Sequence, residues 1–391
     1  MANVSSSNGL EKYPKLRFKG FSEPWKVSTA EELFDNVVDK NHPEETVLTI
    51  IQGQGTLPRE AAGRNIHYDT ESLSGYKRVM KNDYVIHLRS FEGGLEIANS
   101  QGIVSPAYTI LRSKKPCAPL FFDSYFHTDE FINHVLYKAV EGIRDGRQIS
   151  YEAFKWLSIP YCSLEEQTQI AAFLEKINLR IEKQRSLVEH LKKYKRGFLQ
   201  ASFSSQDDWN TYSISSIGKV VTGSTPPTDN PENYGGDKLF CAPSDVGTEK
   251  YISSTIKRVS EKGFQTGRIV PKGTIIVTCI GLIGKLGIAM QDMITNQQIN
   301  SLIVNPSFDN EFVYYALEYA LPRYAAQASM QTMPILSKSE FEKITLRLPD
   351  SKKQKAISQP LALLDSKIAS QALVLDNLIA LKNGLLQKLF I

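Results

Sequence analysis

The chain has 391 residues, 41% hydrophobic and 23% charged, with a formal net charge of +4. That is ordinary for a globular chain long enough for two or three domains, and it excludes collagen-like, disordered and disulfide-scaffold classes. Its four cysteines (Cys117, Cys162, Cys241 and Cys279) include no CxxC pair, so neither a zinc site nor a disulfide framework is expected. A cytoplasmic protein is expected, because nothing in "MANVSSSNGLEKYPKLRF" supplies the apolar core of a signal peptide.

In chain order, Trp25 opens a first variable segment. Its loop "IIQGQGTLPREAAGRNIHY" (50–68) sets Gln52, Gln54, Arg59, Arg64 and Asn65 between apolar strands. Arg89 follows, and then "GIVSPAY" (102–108). From Leu164 to Gln200 there is no proline, the one glycine is Gly197, and apolar residues fall at heptad spacing. Ile170, Ile177, Leu191 and Phe198 share one position of that heptad, interrupted by Gln184. Phe173, Leu187 and Tyr194 lie three or four residues away, and Leu174, Ile181 and Val188 widen the stripe. This predicts a coiled-coil-like helix.

Trp209 opens a second variable segment. "VTGSTPPTDNPENYGGD" (221–237) reads as a turn-rich loop containing Thr222, Ser224 and Thr225. Residues 274–290 carry Lys285 and read as two strands joined by a turn rather than as a membrane span. "TNQQIN" (295–300) places Asn296, Gln297 and Gln298 at the mouth of a strand. The closing tail repeats the helical pattern with Ile357, Leu364, Leu378 and Leu385, again interrupted by a glutamine, Gln371. Val374 and Leu381 flank this seam, and Pro360 is placed to kink the helix. The two glutamines either set the register of a helix pair or turn outward to solvent.

The two tails are copies. Gln167 and Gln354, Ile170 and Ile357, Ile181 and Ile368, and Gly197 and Gly384 are all 187 apart, and Phe154 and Phe341 keep the same separation. The register survives upstream with small slips. "VMKNDYVI" (79–86) falls on "VPKGTIIV" (270–277), and Ser105-Pro106 on Asn296-Gln297, both at 191. Trp25 and Trp209 are 184 apart, and "FINHVLYKA" (131–139) is aligned with "FVYYALEYA" (312–320) at 181. The chain therefore reads as one unit said twice, with offset changes in loops that tolerate insertion.

The expected class is α+β: a first globular domain (1–160), a helix (161–204), a second globular domain (205–346) and a second helix (347–391). The helices would be packed antiparallel with pseudo-twofold symmetry, because each follows its own globular segment. Net charge over these four segments is −1, +3, −2 and +4, so the excess positive charge lies in the repeated helices. Gly197 and Gly384 are expected at a close approach or a helix cap.

No catalytic constellation is visible. "SPAY" (105–108) resembles the loop with which amino-methyltransferases hold a target base, but Ala107 replaces its second proline and no glycine-rich cofactor fingerprint accompanies it. A structural turn is the expectation there. "GLIGK" (281–285) fails as a phosphate loop at Cys279 and Leu286, and no histidine or carboxylate spacing suggests a metal. The polar loops instead offer what base reading needs, since Arg can fork onto guanine and Gln or Asn onto adenine.

Two variable segments, each closed by a repeated helix ending in "KRGFLQ" (195–200) or "KNGLLQ" (382–387), resemble the specificity (S) subunit of Type I restriction–modification systems. Further marks are "SIPYCSLEEQTQIAAFLEKI" (158–177), its copy "TLRLPDSKKQKAISQPLALL" (345–364), and "NGLLQKLF" (383–390). The second copy departs from the pattern at Ser351, Lys352 and Lys353, where the first has Leu164, Glu165 and Glu166. The resemblance implies a non-catalytic DNA-binding chain whose two target recognition domains each read one half of a bipartite, asymmetric site. It implies helices that set the spacer and dock two modification subunits carrying S-adenosylmethionine, with restriction subunits using ATP and Mg in the full complex. No cofactor, metal or membrane is implied for this chain. The rival readings are a self-sufficient DNA adenine methyltransferase and a coiled-coil adaptor that never touches DNA.

Overall fold

The computed structural model describes residues 11–62, 70–142, 144–204, 208–247, 249–281, 283–328 and 335–390. The chain forms two compact units, Met1–Lys183 with Leu375–Ile391, and Gln184–Val374. This division differs from a segment-by-segment one, because each long helix (Leu164–Ser204 and Ser351–Phe390) gives one half to each unit.

In the first unit, an antiparallel sheet orders Phe34–Val37, Thr109–Ser113, Tyr84–Ile86 and Glu96–Ile97. A second layer pairs Lys77–Val79 with Gly102–Val104, and a parallel bridge from Val47 to Ile103 brings in the hairpin Leu48–Ile51/Gly55–Pro58. The core is aromatic: Trp25, Phe34, Tyr84, Phe121, Phe126 and Phe390 are fully buried.

The second unit repeats this plan. One sheet runs Gly218–Thr222, Ile299–Val304, Ile275–Thr278, Leu286–Ala289, Tyr251–Ile252. The other runs Lys257–Val259, Tyr234–Cys241, Met293–Thr295, Ile269–Val270, again with one parallel neighbour. Strands Tyr84–Ile86 and Gly102–Val104 fall on Ile275–Thr278 and Met293–Thr295 at the separation of 191 read from the sequence. The strand–turn–strand reading of 274–290 is also met, with Val277 opposite Leu286.

One alignment needs correction. The counterpart of the helix Asn310–Ala328 is Pro119–Phe126, not residues 131–139, which form two short helical turns. Phe121 packs on Trp25 and Phe390 (ring centroids 5.5 and 5.2 Å), while Phe312 packs on Trp209 and Phe203 (5.6 and 5.2 Å). Both segments are apolar at helical spacing, so pattern alone could not choose between them; the contact to the tryptophan does.

The helical repeat is structural at residue level. Gln167 donates to the Cys162 carbonyl (2.9 Å) and accepts from the Ala118 N–H (3.2 Å). Gln354 does the same with the Pro349 carbonyl and the Asp309 N–H, both at 2.8 Å. Each buried amide thus ties the start of a long helix to the start of a domain helix, satisfying groups that would otherwise be orphaned. The copies part at Glu166, which takes both Arg17 guanidinium nitrogens (2.8 and 2.7 Å) and the Trp25 indole N–H (3.2 Å). At the equivalent place Lys353 lies 5.9 Å from the Trp209 ring centre, so the sequence departure is a real change of contact.

Within the second unit the helices run antiparallel: Gln184 meets Gln371, and Lys195 meets Asp365. The Gln184 amide donates to the Gln371 backbone and side-chain oxygens, each at 2.9 Å, which fixes register rather than turning outward. The buried line of the first helix follows Ile170, Leu174, Ile181, Gln184 and Val188, its first two residues lying in the core of the first unit. Ile177, Leu191, Phe198, Ile357, Leu364, Leu378 and Leu385 lie half-buried beside it, and Leu187, Tyr194, Val374 and Leu381 are exposed. The second helix continues through Pro360. Gly197 and Gly384 are neither caps nor close approaches: both lie inside helices, and a Cβ there would meet nothing within 4 Å.

Candidate nucleic-acid interface

In the second unit the sheet pairing brings separated loops to one end. Thr222 lies opposite Asn300, Thr278 opposite Ile299, and Val277 opposite Leu286. The turns that follow or precede these residues therefore share an edge. Gly223 lets two of them close up, since a Cβ there would sit 2.1 Å from the Asn296 carbonyl and 2.3 Å from that of Thr295. Thr222 donates to Asn300 (2.8 Å), Thr225 hydrogen-bonds Gln297, and the Ser224 N–H reaches the Thr295 carbonyl (2.8 Å). Asn296 and Gln298 bond each other, and the Gln298 carbonyl accepts from the Cys279 N–H (2.9 Å). Lys285 lies at the end of that last turn with its aliphatic stem against Gly247. Sequence reasoning missed Arg268, which is exposed and joins the group through the Thr222 carbonyl (2.9 Å) and the Ser224 hydroxyl (3.1 Å). Nothing local marks it, because its partners lie more than forty residues away.

In the first unit the candidates fall on separate loops. Gln52 and Gln54 are exposed at a hairpin tip, with the Gln52 side chain against Gly93. Arg89 is exposed beside Glu92 (3.3 Å). Arg59 is half-buried close to Tyr108, and residues 105–108 form the expected turn, closed from the Tyr108 N–H to the Ser105 carbonyl (3.1 Å). Arg64 and Asn65 lie outside the described residues.

A buried carboxylate holds the hairpin tip. Glu96, 1% exposed, accepts from the Gly53 and Gly55 N–H groups (2.6 and 2.9 Å) and pairs with His127 (3.2 Å). Burial opposes a charge on His127, yet Glu96 and Asp123 outweigh it and raise its pKa to about 9. Burial also raises Asp123 to about 6, against the pull of His127 and Lys382. Because the folded pKa of His127 lies above its ordinary value, its stabilisation is complete below about pH 6.5 and is lost as pH rises through 9. Melting of the wild type between pH 7 and 10 should thus show a loss on the order of 3 kcal/mol that His127→Gln lacks. Parallel pH profiles for the two proteins would refute this.

Among the described residues, one group has metal-ligand types close together: His42, Glu44 and Glu45, with ligand atoms within 4.8 Å. His42 already hydrogen-bonds Asp39 (2.8 Å) and Glu45 pairs with Arg78 (2.7 Å), so two of the three already have partners. The four cysteines are free. Burial pushes the Cys279 thiol up to about 11, which leaves it a poor nucleophile despite its place at the loop edge. Among the described residues no helix is long and apolar enough to cross a membrane.

Residues 206–381 match the family described as Type I restriction modification DNA specificity domain. Among curated proteins, the chain is similar to the Type I restriction enzyme MjaIX specificity subunit of Methanocaldococcus jannaschii, at 31% identity over 170 residues (42% of this chain, 39% of that one). It is also similar to the Type I restriction enzyme HindI specificity subunit of Haemophilus influenzae, at 32% over 146 residues (36% of this chain, 32% of that one). Those matches span 39% and 32% of the relatives' lengths. Among solved structures, a Type-I restriction-modification system S subunit from M. genitalium shares the fold. Its TM-score is 0.63 at 18% identity, covering 97% of this chain and 99% of that one.

Proposed function

Residues 206–381 match the Type I restriction modification DNA specificity domain, and from that premise we propose that this chain is the DNA-reading subunit of such a complex. The observation that carries the reading is the gathering of Thr222, Ser224, Thr225, Arg268, Lys285 and Asn296–Gln298 at one end of a sheet, in a fold that the chain builds twice. Amide side chains held on rigid strand ends are suited to hydrogen-bond base edges in the major groove. Each unit would read one half of a bipartite, asymmetric site, with half-sites about one helical turn apart as in a two-fold dimer. The Gln184–Gln371 register would hold the helices as a spacer of fixed length, and their exposed apolar residues would meet two modification subunits.

Chemistry would then reside on those partners: S-adenosylmethionine and adenine methylation on the modification subunits, ATP and Mg on restriction subunits where present. A self-sufficient methyltransferase is disfavoured by Ser105–Tyr108, which folds as a tight turn. An adaptor that never touches DNA is disfavoured by the loop cluster, which such a protein would not need.

The test is an exchange of residues 205–346 for the corresponding domain of a related chain, followed by methylome sequencing. One half of the methylated motif should change while the other half and the spacer stay the same. A change in both halves, or none, would refute the assignment.

A further inference from the structure

The repeat aligns two cations that no sequence motif singles out. Lys77 opens the strand Lys77–Val79, and Arg268 immediately precedes its counterpart Ile269–Val270; their separation is 191, the register of the surrounding strands. Lys77 Nζ donates to the carbonyl of Tyr108 (2.6 Å), at the close of the 105–108 turn. Arg268 donates to the carbonyl of Thr222 (2.9 Å), beside the 296–299 turn that is the equivalent of 105–108. Each is steadied by a backbone oxygen that spends little of its charge.

Their surroundings correspond too. The Ser224 hydroxyl accepts the Arg268 N–H (3.1 Å), and the residue at the same place in the first unit, 184 positions earlier, is the exposed Lys40. Burial, and then the charge of Lys40, lower the pKa of Lys77. A neighbouring positive charge disfavours the ammonium form of a lysine, and an anion set beside the two relieves that. Lysine in one copy and arginine in the other share only a positive charge. A base edge read by a bidentate fork would demand arginine, whereas a phosphate accepts either.

We propose that Lys77 and Arg268 are equivalent phosphate anchors, one per unit, that seat the DNA backbone against the 105–108 and 296–299 turns. The inference rests on the DNA-reading function above and adds the element that positions the duplex before bases are read. The test measures DNA binding by the complex purified through this chain from its native host, across a salt series, on the methylated-motif duplex and on an unrelated duplex of equal length. Arg268→Ala and Lys77→Ala should each weaken binding to both duplexes by a similar factor, about 5–20-fold, and make the salt dependence shallower by about one unit of log–log slope. Arg268→Lys and Lys77→Arg should retain most of the affinity. The Lys→Arg variant also separates loss of charge from loss of folding at the half-buried Lys77. An unchanged slope, or a loss confined to the motif duplex, overturns the inference while leaving the function intact. Failure of the wild-type complex to bind either duplex overturns the function and the anchors with it.

Discussion

Phe390→Ala is expected to cost the first unit about 3–5 kcal/mol, the range for emptying a fully buried aromatic site. Phe390 is wholly buried and packs on Trp25 (5.9 Å), Phe121 (5.2 Å) and Tyr125 (5.8 Å). It therefore closes a core in which these three aromatic partners lie about 265 to 365 positions earlier in the chain. Phe203, at the equivalent place 187 residues before, packs on Trp209, Phe312 and Tyr319. Phe203→Ala should cost the second unit a similar amount. Urea titrations of the full chain followed by near-ultraviolet circular dichroism report both, and a midpoint shift worth less than about 1 kcal/mol in either variant would contradict the packing. The cost is tertiary in origin: the terminal turn of each long helix is held by an aromatic socket and contributes little of its own.

Lys195→Met is the second large effect expected, a loss of about 2–4 kcal/mol at neutral pH. Lys195 is 13% exposed and sits between Glu318 (2.9 Å) and Asp365 (2.8 Å). Asp365 also takes the Tyr315 hydroxyl (2.6 Å) and lies 3.7 Å from Lys250, which pairs with Glu311. Removing one cation strands carboxylates that were desolvated for it, and this is the costly way to break a buried pair. The estimate is below the largest values because Asp365 keeps Lys250 and Tyr315, and Glu318 is 32% exposed. Burial works against the Lys195 charge, but Glu318 and Asp365 prevail and raise its pKa above the ordinary value. Its contribution is accordingly complete at neutral pH and is lost only as pH climbs beyond the usual lysine range. Equilibrium denaturation at pH 7 of Lys195→Met beside Lys195→Arg checks this, with arginine expected to recover part of the loss. Equal stability of Lys195→Met and wild type would refute the network.

The same residue explains the echo of "KRGFLQ" in "KNGLLQ". Lys195 and Lys382 are its first letters, and both bear on the domain helix of their unit: Lys195 through Glu318, and Lys382 through its charge acting on Asp123. Glu318 and His127 are repeat equivalents at 191, so the position that pairs with Lys195 in one copy holds a histidine tied to Glu96 in the other. The echo's glycines, by contrast, lie in open helix and touch nothing.

Periodicity and self-similarity determined a good deal. One gap-free register over the tails already placed two long helices, their apolar stripes and the paired glutamines, because helix formation and amphipathicity are local properties that repeat visibly. Strand positions at the separation of 191 were legible for the same reason. The polar loops 222–225 and 296–298 stood out by composition, and the structure brings them together through Gly223. Tertiary structure alone decided the rest. Only packing on Trp25 and Trp209 showed that 119–126, and not 131–139, matches the helix Asn310–Ala328. Only strand pairing brought Arg268 to Thr222 and Lys77 to Tyr108. Hydrophobic pattern reports which face of an element is buried, but not what it is buried against. Contacts between residues tens or hundreds of positions apart are set by how the faces fit, and that fit is nowhere local in the chain.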